Sequence, residues 1–202
     1  MEYFLQGLTM GLAYVAPIGL QNLFVINTAM TQKKSRVILT ALIVIFFDVT
    51  LALACFFGVG AVMERSHTAK LAILLIGSLT VIFIGFSLIK ADASMQEKNV
   101  SVPIWSVVTT ACVVTWFNPQ ALIDGTMMLG AFRASLPPSA AALFMWGVAA
   151  ASCLWFSGIS AVITLFSARF TSGTLKTINI VCGTVVIFYG LKLLWNFIEL
   201  MR

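Results

Sequence analysis

The sequence predicts an all-α integral membrane protein: six transmembrane helices forming two inverted three-helix repeats, with helices one and four interrupted. Three observations carry this. First, the chain of 202 residues is 60% hydrophobic and 9% charged, against about 45–50% and 25% for soluble domains, and its mean hydropathy is +1.03. Second, its apolar residues fall into six runs, each near the roughly 20 residues needed to cross about 30 Å of hydrocarbon. Third, runs one and four carry a proline at the same depth.

The runs cover residues 3–30, 37–63, 70–90, 104–132, 140–166 and 177–200. They must be helices, because an open strand edge does not survive in lipid and no ten-residue alternation points to a barrel. Nothing is left over for a soluble domain, so 1–202 reads as a single transmembrane domain with halves near 1–98 and 99–202. Only Glu2 and no basic residue precedes a first run longer than a signal peptide, which is therefore expected to stay in the mature protein.

Span one runs fourteen residues before Pro17-Ile18-Gly19, and span four runs fourteen before Asn118-Pro119. In each, a polar residue follows the proline by five, Asn22 in one case and Asp124 in the other. Three helices are an odd number, so the second half enters from the opposite side, the inverted repeat of many secondary transporters. The blander alternative is that proline is common in membrane helices. Placing basic residues on alternate sides puts seven with Lys33, Lys34 and Arg36, and five with Arg65 and Arg133, which favours both termini outside the cytoplasm.

Candidate chemistry starts with Asp48, twelfth in span two and close to the bilayer centre. An ionised aspartate there costs about 2.5–3.5 kcal/mol on insertion scales, so it should face the bundle interior with a partner or a proton. Ala41, Ala52 and Cys55 share its helical face and suit close packing. The alternative is a carboxyl that only joins two helices. Asp124, just after the second break, lies deep as well. Lys192 is the one deep base, and its stem can snorkel to the interface or reach one of the acids.

Pro17 and Pro119 lack an N–H and obstruct the carbonyl four residues earlier, so each break exposes carbonyls on one side and half-helix N–H groups on the other. Such a site suits a zwitterion, its carboxylate near Gln21, Asn22, Asn118 and Gln120 and its ammonium facing carbonyls and aspartates. Gln21 and Asn22 also read as interhelical glue. Gly19 completes the first break. Trp116 and Trp155, deep in their runs, are candidates to line a cavity, whereas Trp105, Trp146 and Trp195 suit the interface. Gly7 and Gly11 form a GxxxG, a helix-contact signal. His67 reads as a solvated loop residue.

Several function classes drop out. The charge of +5 is spread too thinly for nucleic acid. Four cysteines without CxxC spacing and a single histidine argue against disulfides, zinc or another cofactor. An intramembrane protease would need a deep histidine or HExxH, and neither is present.

The stretch Ala16-Pro17-Ile18-Gly19-Leu20-Gln21-Asn22-Leu23-Phe24-Val25-Ile26-Asn27 resembles the first-helix signature of the LysE family of bacterial amino-acid exporters, especially its arginine-exporting branch. Thr115-Trp116-Phe117-Asn118-Pro119 with downstream Asp124 is similar to that family's Thr-Trp-Leu-Asn-Pro motif. Weaker likenesses follow at Asp48-Val49, at Ala151-Ser152-Cys153-Leu154-Trp155-Phe156 and at Ile178-Asn179-Ile180-Val181. Leu20 departs from the pattern, since the family has Pro there.

The resemblance implies an exporter of amino acids in the bacterial inner membrane, and together with the two deep acids it favours a basic cargo. The mechanism expected from those acids is antiport, with Asp48 and Asp124 shared by the cargo and a proton. Neutral amino acids and divalent metal ions remain as other cargoes, and a non-transporting helper subunit as another class. The expected partners are the amino acid, protons and the lipid bilayer. The oligomeric state, including a homo-oligomer, stays open.

Overall fold

The computed structural model describes residues 1–17, 19–58, 67–90, 103–166 and 172–201, and these contain helices and short connections but no strand. In chain order the elements are α1 (Glu2–Val15), α2 (Leu20–Thr31), α3 (Lys34–Phe56), α4 (His67–Lys90), α5 (Ile104–Trp116) and α6 (Pro119–Gly125). A π-helical segment (Thr126–Gly130), α7 (Ala131–Ser135), a 3-10 turn (Pro138–Ala140), α8 (Ala141–Phe166) and α9 (Ser172–Met201) complete the chain. Arg65, Lys98, Arg169 and the side chains of His67, Gln120 and Lys192 fall outside the described residues, and with them the expectations placed there.

Among the described residues, α3 and the stretch Pro138–Phe166 are each long and apolar enough to cross a membrane. Two bent pairs pass the same test together: α1 with α2, bent by 77°, and α5 with the segment Ala121–Gly130, bent by 59°. The bends fall at the expected prolines. Pro17 ends α1, and the extended backbone at Gly19 (φ −120°, ψ −169°) redirects the chain into α2. At the second break Pro119 takes the first position of α6, where its missing N–H costs nothing. The Asn118 Oδ1 accepts from the Ala121 N–H at 3.4 Å and caps that helix.

Several features differ from the sequence-based expectation: α4 begins at His67, a residue expected in a loop, and α9 begins at Ser172, ahead of the expected start at 177. The second run, expected to stay helical to residue 63, gives a helix that stops at Phe56, because Gly58 enters the left-handed region (φ +105°) as a C-terminal glycine stop. Beyond the second break the helix widens to a π-helical turn directly after Asp124-Gly125, a feature that propensity does not announce.

Close backbone approach builds the core. A Cβ at Gly11 would lie 2.7 Å from the Ala151 Cβ, and Cβ atoms at Gly7 and Gly147 would collide with the carbonyls of Phe144 and Phe4. The Gly7/Gly11 pair thus serves the α1–α8 contact within the chain. Helix α3 packs against α2, α5 and α8, burying Val44, Asp48, Leu51, Ala52 and Cys55 on one stripe. Helices α4 and α9 lie together through Gly85 and Gly183, where a Cβ on either meets the carbonyl of the other, at 2.9 and 2.7 Å. The α4–α9 pair meets the rest through α6 and α2. Outward-facing Ile38, Leu42, Phe46, Trp105, Trp146 and Trp195 present the apolar surface a lipid-embedded protein requires.

Candidate functional site

The two breaks meet. The Gln21 amide, one residue into α2, donates to the Thr115 hydroxyl near the end of α5 at 3.1 Å, joining the first half-helix pair to the second. The same amide donates to the Asp48 Oδ1 at 3.1 Å, and the Ser152 hydroxyl on α8 donates to the Asp48 Oδ2 at 2.6 Å. Asp48 is thus fully buried where α2, α3, α5 and α8 converge. Both of these donors are uncharged. They satisfy part of the carboxylate's hydrogen-bonding capacity without cancelling its charge.

A second network sits at the first break. The Asn22 Nδ2 donates to the Val15 carbonyl at 3.0 Å and to the Pro17 carbonyl at 2.7 Å. Its Oδ1 accepts from the Trp155 Nε1 at 2.7 Å. Two of the carbonyls released at the break are therefore held by a side-chain amide of the same span. Asn22→Ala strands those carbonyls and the indole N–H, at about 1–3 kcal/mol for each buried group left without a partner. The expected outcome is a large fall in the detergent-solubilised melting midpoint; an unchanged midpoint contradicts this clamping role.

Trp116 donates its Nε1 to the Thr50 hydroxyl at 3.3 Å, two residues beyond Asp48 on α3. Asp124 is half-buried on α6 and shares with Asp48 an electrostatic reach to Tyr14. Of the residues expected from sequence, Gln21 and Asp48 are in direct contact, Asn22 and Trp155 likewise, and Asn118 caps the second half-helix.

A cavity of about 470 Å³ lies beside this junction. Its inner end is formed by Leu20 and Val114, the immediate neighbours of Gln21 and Thr115, and its outer end by Gln32 and Arg36. Along the wall stand Asn27 of α2 and Ser106 and Thr110 of α5. From Leu20 to Thr31 the α2 axis rises about 16 Å at 1.5 Å per residue, so the cavity leads from the junction toward the end of the bundle bearing Lys33, Lys34 and Arg36. Among the described residues lining it, Arg36 is the one that is charged.

Broken helices meeting at a buried acid, beside a cavity that reaches one end of an apolar bundle, suit a translocator. A model of the family described as LysE type translocator matches residues 12–196. The chain belongs to the LysE type translocator family. It is a membrane translocator rather than an enzyme. This LysE type chain is 29% identical to the arginine exporter protein ArgO of Shigella flexneri over 198 residues, covering 95% of this chain and 93% of the relative. The same figures hold for the arginine exporter protein ArgO of Escherichia coli (strain K12). Against that of Klebsiella pneumoniae (strain 342) the identity is 29% over 197 residues, covering 95% and 92%. No solved structure matches.

Sequence reasoning missed three groups around the junction of this translocator as participants. Thr115 and Ser152 stand inside the stretches that resemble the family, so a signal existed, but nothing in spacing paired them with Gln21 and Asp48. Tyr14, three residues before Pro17, left no signal beyond being a polar aromatic in an apolar run.

Proposed function

We propose that this translocator exports a basic amino acid, arginine or lysine, from the bacterial cytoplasm across the inner membrane, in exchange for protons and by alternating access. The observation that carries the proposal is Asp48, a carboxylate fully buried at the meeting of both helix breaks and held by the neutral donors Gln21 and Ser152. A charge kept that deep without a cation among its hydrogen-bond partners binds a cationic solute or a proton in turn. The similarity to arginine exporters supports the basic cargo. Asp124, Asn118 and the half-helix ends at Pro17, Gly19 and Pro119 complete the proposed site, with Gln21 and Asn22 holding its shape and Trp116 and Trp155 beside it.

Energetics favour exchange. Moving a +1 solute out of a negative-inside cell costs about 2.3 kcal/mol per 100 mV. One proton inward for each cation outward cancels that electrical work, and one set of carboxylates serves both ions.

We also propose six crossings in two inverted halves, 1–98 and 99–202. The contacts support this, since exchanging the halves maps α1–α8 onto α5–α3 and returns α3–α8 and α4–α9 to themselves. The reciprocal Gly85–Gly183 approach is what a pseudo-two-fold axis produces. The basic cluster at Lys33, Lys34 and Arg36 supports a cytoplasmic open end for the cavity, where Arg36 offers a partner to the substrate carboxylate. Thr110→Trp should plug this route and cut export by about tenfold or more, since a misplaced contact in a transport path acts on the rate directly. Unchanged export from Thr110→Trp at equal membrane abundance contradicts the route.

The complete burial of Asp48 favours a second reading, in which the carboxyl only ties α2, α3 and α8 together. Neutralising it separates the two: helix glue loses stability, whereas a transport site loses export first. A divalent cargo is less favoured, because among the described residues no three His, Cys, Asp or Glu side chains cluster, while a hard divalent ion takes six or more oxygens.

A further inference from the structure

The phenol of Tyr14 is buried within electrostatic reach of both acids. Its ring lies against α6 and α3: a Cβ at Gly125, next to Asp124, would sit 3.2 Å from the Tyr14 Cε2 and 2.9 Å from the Cys55 Sγ. Cys55 follows Asp48 by seven residues on the same face of α3. The Tyr14 residue is 8% exposed, and its Oη is buried with no hydrogen-bond partner among the described residues.

That combination asks for a cause. A buried hydroxyl left without a partner is costly, and natural folds keep few of them. If the ring served packing alone, phenylalanine would fill the same volume without stranding an oxygen. The lone oxygen lies within electrostatic reach of both Asp48 and Asp124, a position that suits the N–H groups of a cation drawn to those carboxylates.

We infer that the Tyr14 hydroxyl is a ligand of the transported cation, accepting a hydrogen bond from the ammonium or guanidinium that Asp48 and Asp124 attract. The inference rests on the exporter reading. A phenol oxygen adds direction to a site whose acids supply mainly charge, so it favours planar, multi-donor cations over compact monatomic ones.

The test is Tyr14→Phe in the full chain, purified and reconstituted in liposomes beside the wild type and Asp48→Asn, with labelled arginine as probe and the melting midpoint measured on each. The expected result is an unchanged or higher midpoint with a KM for arginine raised about tenfold, as the loss of one hydrogen bond to a charged group implies. Wild-type KM in Tyr14→Phe overturns the inference while leaving the exporter reading intact, provided Asp48→Asn is inactive. Failure of Tyr14→Phe to fold also overturns it, because the hydroxyl would then have a structural partner. Full activity in Asp48→Asn, or no amino-acid transport by the wild type, overturns the exporter reading and this inference together.

Discussion

Asp48→Asn is expected to abolish export while leaving the protein inserted and folded. Asparagine has the same shape as aspartate, and its Oδ1 still accepts from the Gln21 amide as the carboxylate Oδ1 does at 3.1 Å. Its Nδ2 faces the Ser152 hydroxyl, which has a second acceptor in the Val148 carbonyl at 3.4 Å. Hydrogen bonding within the junction therefore survives the change. On the proposed mechanism, what disappears is the charge that attracts the cargo and the group that carries the proton back. A charge-assisted hydrogen bond is worth about 1.5–3 kcal/mol, or about ten- to a hundredfold in affinity, and loss of proton exchange removes what remains of coupled transport. Efflux of labelled arginine from preloaded cells, normalised to membrane abundance, reads the effect. Normal efflux from Asp48→Asn removes the residue from the mechanism, and loss of folded protein favours its role as helix glue.

The second large effect is on assembly. In Gly147→Val the new Cβ must share space with the Phe4 carbonyl and stand 2.6 Å from the Leu8 backbone nitrogen. Backbone atoms of a helix cannot swing aside as the tip of a side chain does, so α1 and α8 must separate along their whole contact. The cost is expected at or above the upper end of the ~1–3 kcal/mol typical of overpacking. Loss of the monodisperse peak after detergent extraction checks it. Gly158→Ala is the contrast on the same helix: no atom lies within 4 Å of its Cβ position, so alanine there should be neutral or stabilising by up to about 1 kcal/mol through helix propensity. Equal behaviour of the two variants contradicts close α1–α8 packing as the basis of assembly.

Composition and punctuation carry the helical content and the two breaks, because lipid leaves few ways to satisfy a backbone and Pro17 and Pro119 act on their own turns. The stop at Phe56 was within reach, since Gly58 is a familiar helix terminator, but a long apolar run masks such a signal. The pairings are another matter. Asp48 meets Ser152 across 104 residues and Asn22 meets Trp155 across 133, and periodicity within one span says nothing about which serine or tryptophan of another will face it. Asn22 illustrates that blindness: its position beside a break suits a substrate ligand or interhelical glue, and only the fold shows its amide reaching two backbone carbonyls and the Trp155 indole. Gly7 and Gly11 announced a close helix contact, but only the packed chain identifies α8 as the partner.

The central claim is that Asp48, together with Asp124, exchanges a cationic amino acid for a proton. The most direct measurement is arginine movement in proteoliposomes under an imposed pH difference, with the membrane potential clamped at zero and then at a set value. The account predicts uphill arginine flux driven by the pH difference, indifferent to potential, accompanied by proton movement in the opposite direction and absent from Asp48→Asn. Flux that follows the potential and ignores the pH difference would contradict it.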